Sequence, residues 1–270
     1  MRTIVLFLIL LGCGTSHITA QNDYLVTTIS NQEGPLSEEE QFIKENFPLQ
    51  LLCKWTPGMK FMFIPSGRDM FLPTLLVYET EKGADNSVLK HKILTFAGYE
   101  EKSQKLSNDM SYSTRLIFEC DGEKYYYEIK NTRPDEICEK NPRAYINGLV
   151  NLKDVDTAKE LLTGRKIYVQ SDMARVDDAN SYSGYREVSI PVNTEATITA
   201  IGVGSQAYPV KIIFQDSQGH SYYLEVALSR TNSGMDVSDF QAEKKMRYFP
   251  NAISFSSKKS GNLETLKDKY

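Results

Sequence analysis

Histidine, cysteine and tryptophan are scarce in this chain: 270 residues hold three His, four Cys and one Trp. A metal centre needs several converging ligands. With His17, His91 and His220 far apart and no His-x-x-x-His or Cys-x-x-Cys spacing, the sequence offers none. A Gly-x-Ser-x-Gly nucleophile elbow and a glycine-rich phosphate loop are also missing, so neither a serine-hydrolase nor a nucleotide-binding signature can be read. No cofactor is expected. Lys and Arg number 31 against 35 Asp and Glu, a net charge of −4 with no basic stripe. That balance argues against a nucleic-acid partner. Past the first twenty residues no apolar run is long enough for a membrane-spanning helix.

Those first twenty residues read as a secretory signal, with Arg2, an apolar run over 4–11, and small and polar residues ending at Ala20 and Gln21. Two processing routes stay open. Cleavage after Ala20 leaves a chain starting at Gln21. Alternatively, Leu10-Leu11-Gly12-Cys13 resembles a lipobox, with Cys13 lipidated and the chain anchored to a membrane. Either route exports the protein to the periplasm, the cell surface or beyond. Cys53, Cys120 and Cys138 then remain, an odd number that allows one internal disulfide and leaves one further thiol. Cys120 either packs inward or bonds Cys138 across a short loop.

What the chain does have is a strand pattern written twice. Residues 114–129 flank Asp121-Gly122, a pair suited to a two-residue type I′ turn because both positions need φ > 0. That turn sets Phe118 opposite Tyr125, Leu116 opposite Tyr127 and Ile117 opposite Tyr126. It also pairs Arg115 with Glu128 and Glu119 with Lys124 on the outward face, as opposite charges favour. A one-residue slip would reverse every side chain. Residues 210–226 repeat the pattern around Ser217-Gln218-Gly219, with Phe214 opposite Tyr222, Ile212 opposite Leu224, Ile213 opposite Tyr223 and Lys211 opposite Glu225.

The rest of the order also recurs. Ser37 and Glu40 form a capping box for a helix that Pro48 ends near Phe47. Pro57-Gly58 turns into a first strand, matched by Gly164 before residues 166–169; Gly58 and Lys60 correspond to Gly164 and Lys166. A further strand follows over 88–97 and over 196–201, with another over 185–192 that Pro191 places at an edge. After each hairpin a polar helical turn is expected, at Pro134 and at 238–241. Each is followed by an aromatic return, residues 143–150 and 247–255. The expected fold is therefore mainly β: two duplicated small barrel or sandwich domains of about five strands each, with short helices. Residues 1–20 are signal, 21–40 a flexible leader, 41–148 the first domain, 149–255 the second and 256–270 a polar tail.

This order of strands and turns resembles the Src-homology-three-like small barrels found in tandem in exported bacterial proteins. The resemblance implies a fold and leaves function to the site. On that footing the expected role is a non-enzymatic binding or adaptor module of the bacterial envelope, with protein or glycan as partner. The alternatives are a lipid-anchored subunit of an outer-membrane assembly and an extracellular hydrolase with its site between the domains. The candidate binding residues are Tyr126 and Tyr223 with Ile117 and Ile213, on equivalent outward faces, and Trp55. Aromatic rings on a sheet face stack on sugars or anchor a protein, or else pack beneath neighbouring chain. The loops over 65–86 and 170–185 are the other candidate contacts. Asp172, Asp177 and Asp178 share the latter without calcium-loop spacing.

Overall fold

The computed structural model describes residues 35–65, 73–106, 109–228 and 247–257. The signal, Cys13, the helix start at 238–241 and the tail from 258 lie outside the described residues, as does part of the 65–86 loop.

The protein is mainly β. Six strands form the first sheet: β1 (Lys60–Phe63), β2 (Leu76–Val77), β3 (Ile93–Leu106), β4 (Asp109–Cys120), β5 (Glu123–Lys130) and β6 (Leu149–Asn151). They lie in the order β2-β5-β4-β3-β1-β6, and every pairing is antiparallel. Seven form the second: β7 (Lys166–Val169), β8 (Met173–Asp177), β9 (Tyr185–Ser189), β10 (Thr194–Val203), β11 (Val210–Asp216), β12 (Ser221–Val226) and β13 (Ile253–Ser254). Their order is β13-β7-β10-β11-β12-β8-β9, again antiparallel. The helices are short: α1 (Glu38–Asn46), α2 (Asn86–Leu89), α3 (Ile137–Lys140), α4 (Leu152–Leu162) and α5 (Phe249–Ala252).

The hairpin registers agree with the sequence reading pair for pair. Asp121 and Gly122 have φ of 52° and 85°, the left-handed values a type I′ turn demands, and Gly219 sits at 86°. The duplication extends beyond the hairpins. Thr95 pairs with Lys60 and Thr197 with Lys166, and each strand then bulges one step on, between Phe96 and Gly98 and between Ile198 and Ala200. On the far side Leu149 pairs with Phe63 as Ile253 pairs with Val169. The copies therefore superpose in pairing as β1-β2-β3-β4-β5-β6 on β7-β8-β10-β11-β12-β13.

The sheets exceed the expected five strands because β2 and the β8–β9 hairpin add beside the second hairpin strand, Leu76 opposite Tyr126 and Arg175 opposite Tyr223. β9 is the edge strand, as Pro191 implied. The strand expected from residue 88 begins only at Ile93. Asp85 accepts a hydrogen bond from the Ser87 amide and caps α2, and His91 takes φ 64°, which turns the chain before β3.

Two cores lie against the sheets. The first is aromatic: the Trp55 ring lies 4.4 Å from Phe61, with Phe96 and Phe118 edge-on at 5.8 and 6.4 Å. The second is mostly aliphatic, around Ile167, Val169, Ile198, Ile212, Phe214 and Phe249. Burying side chains of this size contributes roughly 1.5–3 kcal/mol each. The capping box at Ser37 and Glu40 closes in both directions, with bonds of 2.9 and 3.1 Å. α1 precedes the first sheet in sequence but places Phe42, Ile43 and Phe47 on the second core. Its buried Glu39 accepts from the Ser254 hydroxyl and the Phe255 amide, both at 2.8 Å. Contacts gather both sheets into one compact unit that starts at Ser37.

The disulfide joins Cys53 to Cys138, with Cα atoms 5.2 Å apart and a sequence separation of 85, and Cys120 is a buried free thiol. Of the two readings of Cys120, inward packing and a bond to Cys138, the structure has the packing and not the bond. Cys120 adjoins the turn at one end of the hairpin, and β5 then runs eight residues away from it before α3 begins. Eight extended residues span roughly 26 Å, far beyond the ~7 Å Cα limit for a disulfide. Cys53 meets Cys138 because the single helical turn Leu52–Lys54 docks there, its Leu52 amide donating to the Arg143 carbonyl at 2.8 Å.

Candidate functional site

The candidate aromatic face is closed. Tyr126 is 2% exposed and Tyr223 7%, and Ile117 and Trp55 are buried as well. Ile213 is half-buried. Trp55 is a core residue whose indole N–H donates to the Gln50 carbonyl at 3.2 Å. Tyr126 and Tyr223 are covered by cations: the Arg115 guanidinium lies 4.2 Å from the Tyr126 ring and the Lys211 ammonium 3.7 Å from the Tyr223 ring. The arrangement recurs because each cation stands diagonally across its hairpin from the ring. These positions pack under neighbouring chain, which the alternation of strand residues alone could not reveal.

Of the outward charge pairs, Lys124 meets Glu119 at 3.8 Å as expected, while Arg115 and Lys211 take other partners. Arg115 reaches Glu81 at 2.6 Å in the turn after β2, while Glu128 accepts from the Ser113 hydroxyl. Hydrogen bonds from Lys102 and then Arg115 hold the Glu81 carboxyl down at about 2. Lys211 pairs with Asp177 at 3.5 Å, and Asp178 lies 4.0 Å from Arg186. Two of the three loop acids are thus engaged with cations. Among the described residues no group of acids, His and Cys is arranged to hold a metal ion.

The convergent polar groups lie instead at the seam between β12 and β8, where one residue pair, Tyr223 with Arg175, joins the strands. Glu225 is the centre. Its carboxylate accepts from Arg175 at 3.0 Å and from Arg247 at 2.9 Å, and its carbonyl accepts from Arg247 Nε at 3.1 Å. Arg175 also reaches Glu187 on β9 at 3.3 Å and lies 4.1 Å from the Tyr185 ring. Arg247 lies 3.5 Å from the Tyr208 ring. Burial, and then repulsion from Arg175, lower the pKa of Arg247 from the usual arginine value. Beside this network is a cavity of about 240 Å³ whose lining combines the apolar Met173, Ala174 and Leu224 with the charged Asp172, Glu187, Glu225 and the two arginines. Pockets for drug-sized ligands start at about 300 Å³, so this one suits a side chain or fragment. Sequence reasoning missed it because Arg175, Glu225 and Arg247 come from three separated segments and match no motif.

A second, smaller cavity of about 30 Å³ lies against Pro48, Gln50, Trp55, Tyr145 and Asp154. It has room for a water molecule or two. Gln50 Oε1 is buried there without a hydrogen-bond partner among the described residues. Asp154 stands in the first turn of α4, where the helix N-terminus favours a charged carboxylate. Burial outweighs that and the opposing Lys153, raising its pKa to about 6.

Fold and site together define a duplicated antiparallel β protein with a charged seam cavity in its second copy. No family model, no curated protein and no solved structure matches the chain.

Proposed function

We propose that the chain is an exported bacterial envelope protein that acts as a non-enzymatic binding or adaptor module for protein or glycan, contacting its partner at the β12–β8 seam. The observation that carries this reading is the cavity of about 240 Å³ where two arginines converge on Glu225 among apolar lining residues. Guanidinium groups with fixed partners recognise polar ligands with defined geometry, and the apolar lining supplies contact area. Export is supported by the Cys53–Cys138 disulfide, a bond that persists in oxidising compartments. The Src-homology-three-like resemblance stays part of the proposal.

The test is capture of envelope proteins and glycan-array binding by the chain from Gln21, run beside Arg175→Gln and Arg247→Gln. Binding that both substitutions weaken supports the seam as the contact. Binding indifferent to both moves the contact elsewhere, and no binding in either format overturns the reading. The lipobox reading, in which Cys13 anchors a subunit of an outer-membrane assembly, is tested separately. Unchanged membrane fractionation of Cys13→Ser would exclude it.

A further inference from the structure

The two copies treat one position differently. Tyr127 stands opposite Leu116 in the first hairpin and Leu224 stands opposite Ile212 in the second, so Tyr127 and Leu224 are equivalent. The arginines beside them are equivalent too: Arg143 and Arg247 each lie six residues before the return strand that pairs β1 or β7. In the first copy the Arg143 guanidinium donates to the Tyr127 hydroxyl and lies 5.5 Å from the ring, which packs on the first core. In the second copy Leu224 carries neither ring nor hydroxyl, Arg247 lies against the Tyr208 ring at 3.5 Å instead, and the cavity of about 240 Å³ opens against Leu224 and Arg247.

We infer that the second copy's cavity binds a phenol, whose ring and hydroxyl take the place beside Leu224 that the Tyr127 side chain fills in the first copy. The inference rests on the seam being the contact site and names what it takes. Charge selects the ligand. The walls carry Asp172, Glu187 and Glu225 against Arg175 and Arg247, so an anionic ligand meets more carboxylates than guanidinium groups. A phenol is neutral and has one O–H to donate and an oxygen to accept, matching both kinds of group in that lining. Met173, Ala174 and Leu224 give its ring apolar contact. A single ring also suits a cavity smaller than the usual pocket for a drug-sized ligand.

The experiment titrates the chain from Gln21, followed by amide NMR shifts and calorimetry, with N-acetyl-tyrosinamide, 4-ethylphenol and their ring-only counterparts N-acetyl-phenylalaninamide and ethylbenzene. The expected result is binding of the phenols, with the ring-only counterparts weaker by at least ~10-fold, because a site built for a hydroxyl rejects the analogue lacking it. Shifts should centre on residues 172–175, 224–225 and 247. Leu224→Tyr should abolish the binding by filling the cavity from within. A tyrosine flanked by glycines in a pentapeptide separates the sources: tighter binding than N-acetyl-tyrosinamide points to a tyrosyl side chain of a partner protein, and equal or weaker binding to a free phenol. Equal affinity for phenols and ring-only counterparts overturns the inference, as does no shift with any probe at millimolar concentration. The probe comparison uses the natural chain, so it decides even where Leu224→Tyr fails to fold. If all probes fail while Arg247→Gln still abolishes envelope capture, the phenol inference falls and the seam stands. If capture is also indifferent to both arginines, the seam falls with it.

Discussion

Asp154 carries the sharpest residue-scale consequence. Its folded pKa of about 6 lies above the ordinary aspartate value near 3.9. The unfolded chain therefore gives up this proton at lower pH than the folded one. The carboxyl costs no stability below pH ~4, and the cost grows as pH rises through about 6. With ~1.4 kcal/mol per pKa unit, reduced because the side chain keeps some solvent contact, it reaches at most about 2 kcal/mol at pH 7. Asp154→Asn should therefore raise stability at pH 7 and leave it nearly unchanged at pH 4, as urea unfolding at the two pH values would measure. A stabilisation equal at both would show that the carboxyl titrates normally. Trp55 fills the centre of the first core against Phe61, Phe96 and Phe118. Trp55→Ala should cost about 3–5 kcal/mol, and a loss below 1 kcal/mol in the same unfolding measurement would place the ring at the surface.

Among the elements, β3 and β4 differ most from their counterparts. Where the second copy closes after Val203 and Val210, the first continues from the equivalent Glu101 and Thr114. Residues 102–113 stand where the second copy has only 204–209. Beyond Ser113 the extension pairs, among the described residues, with itself alone, and a lone two-stranded ribbon is marginally stable in water. Its links to the body include Lys102 with Glu81 at 2.8 Å and Tyr112 beneath the Arg133 guanidinium at 3.9 Å. Surface ion pairs contribute at most about 1 kcal/mol. Replacing 102–113 with the sequence of 204–209 should leave a cooperative fold that loses no more than about 2 kcal/mol, followed by thermal melting. Collapse of the fold would make the extension a structural part of the first sheet.

At the scale of the whole molecule, the Cys53–Cys138 bond closes a separation of 85 residues and ties the chain before β1 to the helix after β5. A loop that long is stabilised by about 2–4 kcal/mol when closed. Cys53→Ser and Cys138→Ser should each lose that amount, and the double variant should lose no more than either alone. Additive losses would mean that the cysteines act through packing. Peptide mapping of the oxidised chain should leave Cys120 as the thiol that alkylates only on unfolding, since it is buried and burial raises its pKa. α1 docks on the second core through Phe42, Ile43, Phe47 and Glu39, so its capping box supports contacts far from it in sequence.

Local chemistry made much of this fold legible. Asp121-Gly122 dictated its turn because few residues accept two left-handed positions, and the turn dictated the register of eight facing pairs. The same logic read the second hairpin, the capping box at Ser37 and the edge position of β9. The helical turn at 86–89 escaped, because its cap competes with a β-rich run that follows at once. The site escaped more completely. Alternation says which face a side chain takes, not what covers that face. Tyr126 and Tyr223 could therefore be placed outward without deciding between ligand contact and packing, which Arg115, Tyr78 and Lys211 against the rings decide. The sequence by itself determined the strands, their pairing within each hairpin and the duplication, since these follow from turn geometry and a period of two. Tertiary structure alone decided the disulfide partner, the burial of the aromatics and the meeting of Arg175, Glu225 and Arg247, because each depends on closure between segments that no local rule brings together.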